Sequence, residues 1–115
     1  MPEIEWFADL LKETLSGVGF FVDYVQLHFN LNPLLNIYTP VVVAINGATW
    51  TSGDPDFPNA LIGQIRKAVA RVAIEPGNCV AIHFRDKSIV SFSTRRDDEH
   101  AETFTLFTTA GVYEE

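Results

Sequence analysis

The stretch Gly77–Thr94, GNCVAIHFRDKSIVSFST, decides the fold. Val80, Ile82 and Phe84 alternate with Cys79, Ala81 and His83; after a polar break, Val90 and Phe92 alternate with Ile89, Ser91 and Ser93. Apolar residues at every second position describe a strand with one buried face, so the pair reads as an antiparallel hairpin. Keeping that face continuous sets the loop length. If Arg85, Asp86 and Lys87 form a three-residue loop, Ile82 faces Val90 and Val80 faces Phe92. A two-residue loop sets Ile82 against Ser91 and breaks the face, so the longer loop is expected. Lys87 then sits where a left-handed residue is favoured.

Working outward to the N-terminus, Ile4, Phe7, Ala8, Leu11 and Leu15 recur at three- and four-residue steps. That spacing predicts an amphipathic helix over about residues 2–16, its dipole complemented by Glu3 and Glu5 and its end set by Gly17 and Gly19. From Val18 the period becomes two. Val22, Tyr24, Gln26 and His28 alternate with Phe21, Val25, Leu27 and Phe29, which predicts a strand. Asn30–Pro33 supplies a turn, and an extended run through Leu35, Ile37 and Thr39 meets Pro40, which suits an edge, a bulge or a break. Val41–Ile45 is apolar on both faces, and Asn46-Gly47 is a two-residue hairpin signature with a return through Ala48–Thr51.

The loop SGDPDFP, residues 52–58, ends in a helix start, with Asp56 as N-cap and Pro58 in the first turn. Phe57, Leu61, Ile65 and Ala68 make this second helix amphipathic, ending near Val69. A strand through Val72 and Ile74 then leads by the turn Glu75–Asn78 into the opening hairpin. Residues 94–102 read as a charged loop, Phe104, Leu106 and Thr108 as a last strand, and residues 111–115 as a frayed tail. The expected fold is α+β in the order α-β-β-β-α-β-β-β-β. It has a mainly antiparallel sheet of about six or seven strands carrying two helices, with an incomplete barrel as the alternative. One domain spans 1–115, its sheet core about 18–110. The run DYVQLHF (23–29) rhymes with NCVAIHF (78–84), which raises a duplicated unit as one reading.

Composition bounds the function. With 115 residues, 47% of them apolar, and nine Phe and two Trp, the chain can bury a real core. Eight basic residues against fifteen acidic give a net charge of −7, which argues against a nucleic-acid partner. One cysteine cannot form an internal disulfide, and Cys79 reads as a packed side chain. The acidic N-terminus lacks the basic start of a signal peptide, and no apolar run approaches about twenty residues. A cytoplasmic location, no membrane contact and no cofactor are the expectations.

His28 and His83 share a register in the rhyming strands, facing away from the core. Joined by Cys79 they would still be an incomplete zinc set, so surface or interface positions are the preferred reading. Arg95, Asp97, Asp98 and His100 concentrate charge of both signs in one run, which a solvated loop explains. Trp50, beside Gly53, reads as a core residue or an interface anchor, with a pocket wall as the alternative. These seven residues form the candidate pocket or interface, and none receives a catalytic or metal-binding role. No Gly-x-Ser-x-Gly elbow, Cys-x-x-Cys, His-Glu-x-x-His, Walker or dinucleotide signature occurs.

The segments DYVQLHF, GDPDFPNALIGQ and EPGNCVAIHFRDKSIVSFS, with Glu102 beyond, resemble a group of short bacterial single-domain proteins without an assigned activity. That group carries a G-D-P-x-[FY] loop, an A-L-x-x-L-I-G helix and a strand hairpin. The resemblance covers residues 20–102, departs at Lys87 and in NALIGQ, and implies a bacterial cytoplasmic domain. The functional expectation is a non-enzymatic interaction protein, immunity- or antitoxin-like, turning an acidic surface to a basic target. The alternatives are a small-molecule-binding domain or an enzyme near Trp50, His28 and His83, and self-association through the N-terminal helix or an edge strand.

Overall fold

The hairpin forms as its alternation predicts. In a computed structural model that describes residues 7–11, 13–30, 33–96, 102–108 and 111–114, β7 (Cys79–Phe84) and β8 (Ile89–Ser93) pair antiparallel. Ile82 lies opposite Val90 and Val80 opposite Phe92. The Phe84 amide donates to Ser88 O at 2.9 Å, the Lys87 amide donates to Phe84 O at 3.0 Å, and Lys87 takes φ +77°. The second predicted hairpin, β4 (Val41–Ile45) with β5 (Ala48–Thr51), closes through Asn46 and Gly47 at φ +50° and +85°.

Around these hairpins stand β1 (Leu15–Phe20), β2 (Val25–Phe29), β3 (Leu34–Ile37), β6 (Val69–Glu75), β9 (Phe104–Thr108) and β10 (Gly111–Glu114). They build two five-stranded antiparallel sheets, ordered β1-β2-β3-β9-β10 and β5-β4-β8-β7-β6. Leu27, Leu35 and Leu106 from the first sheet and Val43, Ile82 and Val90 from the second are buried in one core. Phe92 meets Phe104 edge-on across it, ring centroids 5.8 Å apart.

This corrects the expected α+β fold with six or seven strands and two helices: the chain is mostly β, with ten strands among the described residues. Its helical content among the described residues is one short helix, α1 (Phe57–Ile62), and a 3-10 turn, Phe7–Leu10. The helix expected over 2–16 fails where its backbone finds other partners. Leu15 donates its amide to Lys67 O and accepts from the Arg66 amide, and Thr14 bridges Ala68, so the chain there is already strand. Of the apolar stripe, Phe7 and Leu15 are buried, from two different elements, while Ala8 and Leu11 are exposed and Leu10 is buried in their stead. The second helix, expected to near Val69, stops at Gly63. Arg66 turns at φ +83° and ties its amide to β1. Asp56 precedes α1 without a side-chain cap bond. The strand expected through Phe21–Phe29 is interrupted at residues 21–24, where the Phe21 amide donates to Tyr24 O and β1 turns into β2. The tail at 111–115 is not frayed over Gly111–Glu114, which pairs with β9.

The strand orders reveal that the molecule is built twice. Strands β1-β2-β3 and β6-β7-β8 are three-stranded meanders, one per sheet, and each is completed by a hairpin from the other half of the chain, β9-β10 and β4-β5. Details repeat with the order. β1 carries a bulge between Leu15 and Gly17 opposite Phe29, and β6 carries its counterpart between Val69 and Arg71 opposite Phe84. Ile37 pairs Phe104 just as Phe92 pairs Val41. The Thr14–Ala68 bridge joins the two meanders where equivalent residues meet. Trp50 of β5 pairs Val43 as Tyr113 of β10 pairs Leu106, and both pack against the core.

Candidate functional site

The predicted site residues do not converge. His28 lies on the outer face of the first sheet, Nε2 2.6 Å from Gln26 Oε1. His83 lies on the outer face of the second sheet, both ring nitrogens 3.4 Å from an Arg71 nitrogen. Burial, then the Arg71 charge, hold the His83 imidazole below its ordinary pKa. The two share a register, each beside a buried Phe on opposite sheets, so they cannot meet. Trp50 is half-buried against the core. Arg95 donates from Nε to Asn78 Oδ1 at 2.7 Å, tied to the β6–β7 turn. Asp97, Asp98 and His100 lie outside the described residues. Among the described residues no group of three or more His, Cys, Asp or Glu is placed to hold a metal ion, and no helix is long and apolar enough to cross a membrane.

Two places gather polar chemistry. Lys67 Nζ sits 2.7 Å from Asp86 Oδ2 and donates to buried Gln64 Oε1 at 3.1 Å, while the Ser88 hydroxyl reaches Gln64 Oε1 and Asp86 Oδ1, each at 2.6 Å. Hydrogen bonds from Lys67 and Ser88 hold the Asp86 carboxyl down at about 2, against an ordinary 3.8. Each of these polar groups is bonded to another within the cluster, and Ser88 is buried. This cluster ties the β7–β8 loop to the segment after α1. Cys79 lines an open cleft of about 350 Å³ with Val42, Ser91 and Ser93. Burial first, then the neighbouring Glu75, push its thiol up, which leaves little thiolate.

A third place, which the strand alternation in the sequence conceals, is the most distinctive. At the end where β1 turns into β2, Phe20, Phe21 and Val22 stand exposed, Val22 completely. The Phe21 and Tyr24 rings stack at 4.6 Å, Tyr24 meets Tyr38 at 5.9 Å, and Phe20 meets Phe57 edge-on at 6.4 Å. These residues, with Pro40 of the β3–β4 corner, line a cleft of about 340 Å³. Short chemistry builds it. A two-residue turn, Val22-Asp23, brings Phe21 and Tyr24 into cross-strand contact. Tyr38 is steadied by the hydrogen bond of its Oη to Thr105 Oγ1 at 2.9 Å. Gly19 makes room: a Cβ there would come 2.8 Å from the Phe21 ring. The signal in the sequence was three apolar residues in a row, Phe20-Phe21-Val22, beside Asp23; a strand alternation running through it hid the turn.

The duplicated architecture supplies an internal control. At the equivalent turn the second half carries Glu75-Pro76-Gly77-Asn78, bound by Asn78 to Glu75 and by Arg95 to Asn78, and Ala73 stands in the place of Gly19. That turn is one residue longer, since Glu75 pairs Cys79 where Phe21 meets Tyr24, and it closes on polar contacts. Comparison with protein families, curated proteins and solved structures finds no match to the chain.

Proposed function

We propose that the protein is a non-catalytic interaction module and that the aromatic cleft between the β1–β2 turn, the β3–β4 corner and the start of α1 receives a segment of a protein partner. The contrast between the two equivalent turns carries this reading. The corresponding connection closes with Glu75 and Cys79 where Phe21 and Tyr24 stand, so folding does not demand the exposed Phe21 ring, whereas Phe20 corresponds to Ile74, which packs on the core. Exposed aromatics in a concave setting are what protein-recognition surfaces concentrate, because large, stiff rings bury area at small entropic cost.

The test is an NMR titration of the labelled protein with three synthetic extended decapeptides, alternating Pro–Arg, Pro–Glu and Pro–Leu. Amide shifts at residues 20–25, 38, 39 and 57 with at least one peptide, abolished in Phe21→Ser/Tyr24→Ser, are expected. If no peptide perturbs the cleft, or the double variant responds like the parent, the reading is wrong.

A further inference from the structure

We infer that the cleft selects a cationic side chain, a lysine or arginine in an extended segment of a basic protein; this rests on the cleft being the binding surface. Among the described residues that line it, the charge is of one sign. Asp23 is the charged residue among those lining the cleft, between the stacked rings in sequence. Asp54 and Asp56 belong to the loop that also contributes Ser52, Phe57 and Pro58 to the wall. Glu102, exposed, precedes Thr103, whose carbonyl accepts the Tyr38 amide at 2.9 Å. Arg95 is engaged at Asn78 on the second sheet and lines no part of the cleft. The chain as a whole carries −7.

The rings add a second attraction for the same ligand. An aromatic face is negative, and a cation over it gains most when the ring is held still. The Phe21 ring is clamped on one face by Tyr24 at 4.6 Å with planes 14° apart, so its other face is the one left for a ligand in this half-exposed residue. Guanidinium groups stack on such faces and pair with carboxylates in one reach, and Asp23 is two residues away along the turn. An anionic membrane would meet the same apolar tip, but the acid rim repels it. The charge therefore favours a basic protein segment over a lipid surface.

The probes are the Pro–Arg decapeptide, its neutral Pro–citrulline analogue, and vesicles of phosphatidylserine and phosphatidylcholine. Binding by the Pro–Arg peptide about tenfold tighter than by the citrulline analogue is expected. The preference should collapse in Asp23→Asn and on raising salt from about 50 to about 500 mM, where screening shortens to a few ångströms. Gly19→Ala, which displaces the Phe21 ring, should weaken the Pro–Arg peptide several-fold while second-sheet shifts stay in place, separating a lost seat from a lost fold. Equal binding of arginine and citrulline peptides at the cleft would overturn the inference and leave the cleft standing. Vesicle binding that Phe21→Ser abolishes, without peptide binding, would also overturn it, and no response at the cleft to any probe removes both readings.

Discussion

Thr39 and Thr94 occupy equivalent places at the two crossings between sheets, and both are buried. Thr39 donates from Oγ1 to Ser93 O at 2.7 Å; the Thr94 hydroxyl has no partner among the described residues. A buried hydroxyl without a partner costs more than a methyl group in its place, and a paired one stabilises. Thr39→Val is therefore expected to lower the unfolding free energy by about 1 kcal/mol and Thr94→Val to raise it by about 0.5 kcal/mol, read by urea denaturation. Asp86 gives a pH dependence. Its carboxyl is depressed to about 2 by Lys67 and Ser88, so the contribution is present above the ordinary value of 3.8 and is lost as pH falls through about 2. Because the Asp86 side chain is 48% exposed, the loss in Asp86→Asn should stay below about 1 kcal/mol at pH 7. It should vanish near pH 2; an undiminished difference there would assign the effect to packing.

Whole elements were legible where one period ran unbroken between clear stops. β7 and β8 were read to the residue pair because the apolar face tolerates only one register. β4 and β5 followed from Asn46-Gly47. Misreading came where one residue set satisfies two periods. Phe7 and Leu15 lie on a helical stripe, yet a 3-10 turn buries the first and a strand the second; for Leu15 the choice is made by its hydrogen bonds to Lys67 O and from the Arg66 amide, far away in sequence. The cleft was hidden for the same reason, since a continuous alternation across Phe21–Val25 left no place for a turn. Strand order, and with it the separation of His28 from His83, depends on contacts between chain halves that no local pattern records. At the scale of the loop, Lys87 pays for its φ of +77° with a clash glycine avoids. Lys87→Gly should stabilise the protein by about 0.5–1 kcal/mol in the same denaturation assay. Destabilisation would mean that the lysine side chain contributes contacts outweighing the strain.

The molecule as a whole is two equivalent halves that exchange hairpins, so neither half owns a complete sheet. The first half leaves β3 without β9 and β4 without β8. Polypeptides 1–56 and 57–115, prepared separately, are therefore expected to lack a dispersed NMR spectrum and to recover one when mixed; a folded half alone would refute the shared core. The same exchange fixes where motion can live. β3 and β8 are the middle strands of their sheets, each covered on both sides and each leading into a crossing, so freeing either amide ladder requires both halves to come apart. The Val22-Asp23 turn hangs beyond the last rung, Phe20 opposite Val25. Its protons can trade with solvent by a local opening that leaves the sheets closed. In deuterium exchange the interior rungs should report the stability of the entire molecule, while the aromatic tip reports only its own. A surface with its own clock can reshape around an incoming chain without loosening what holds it up.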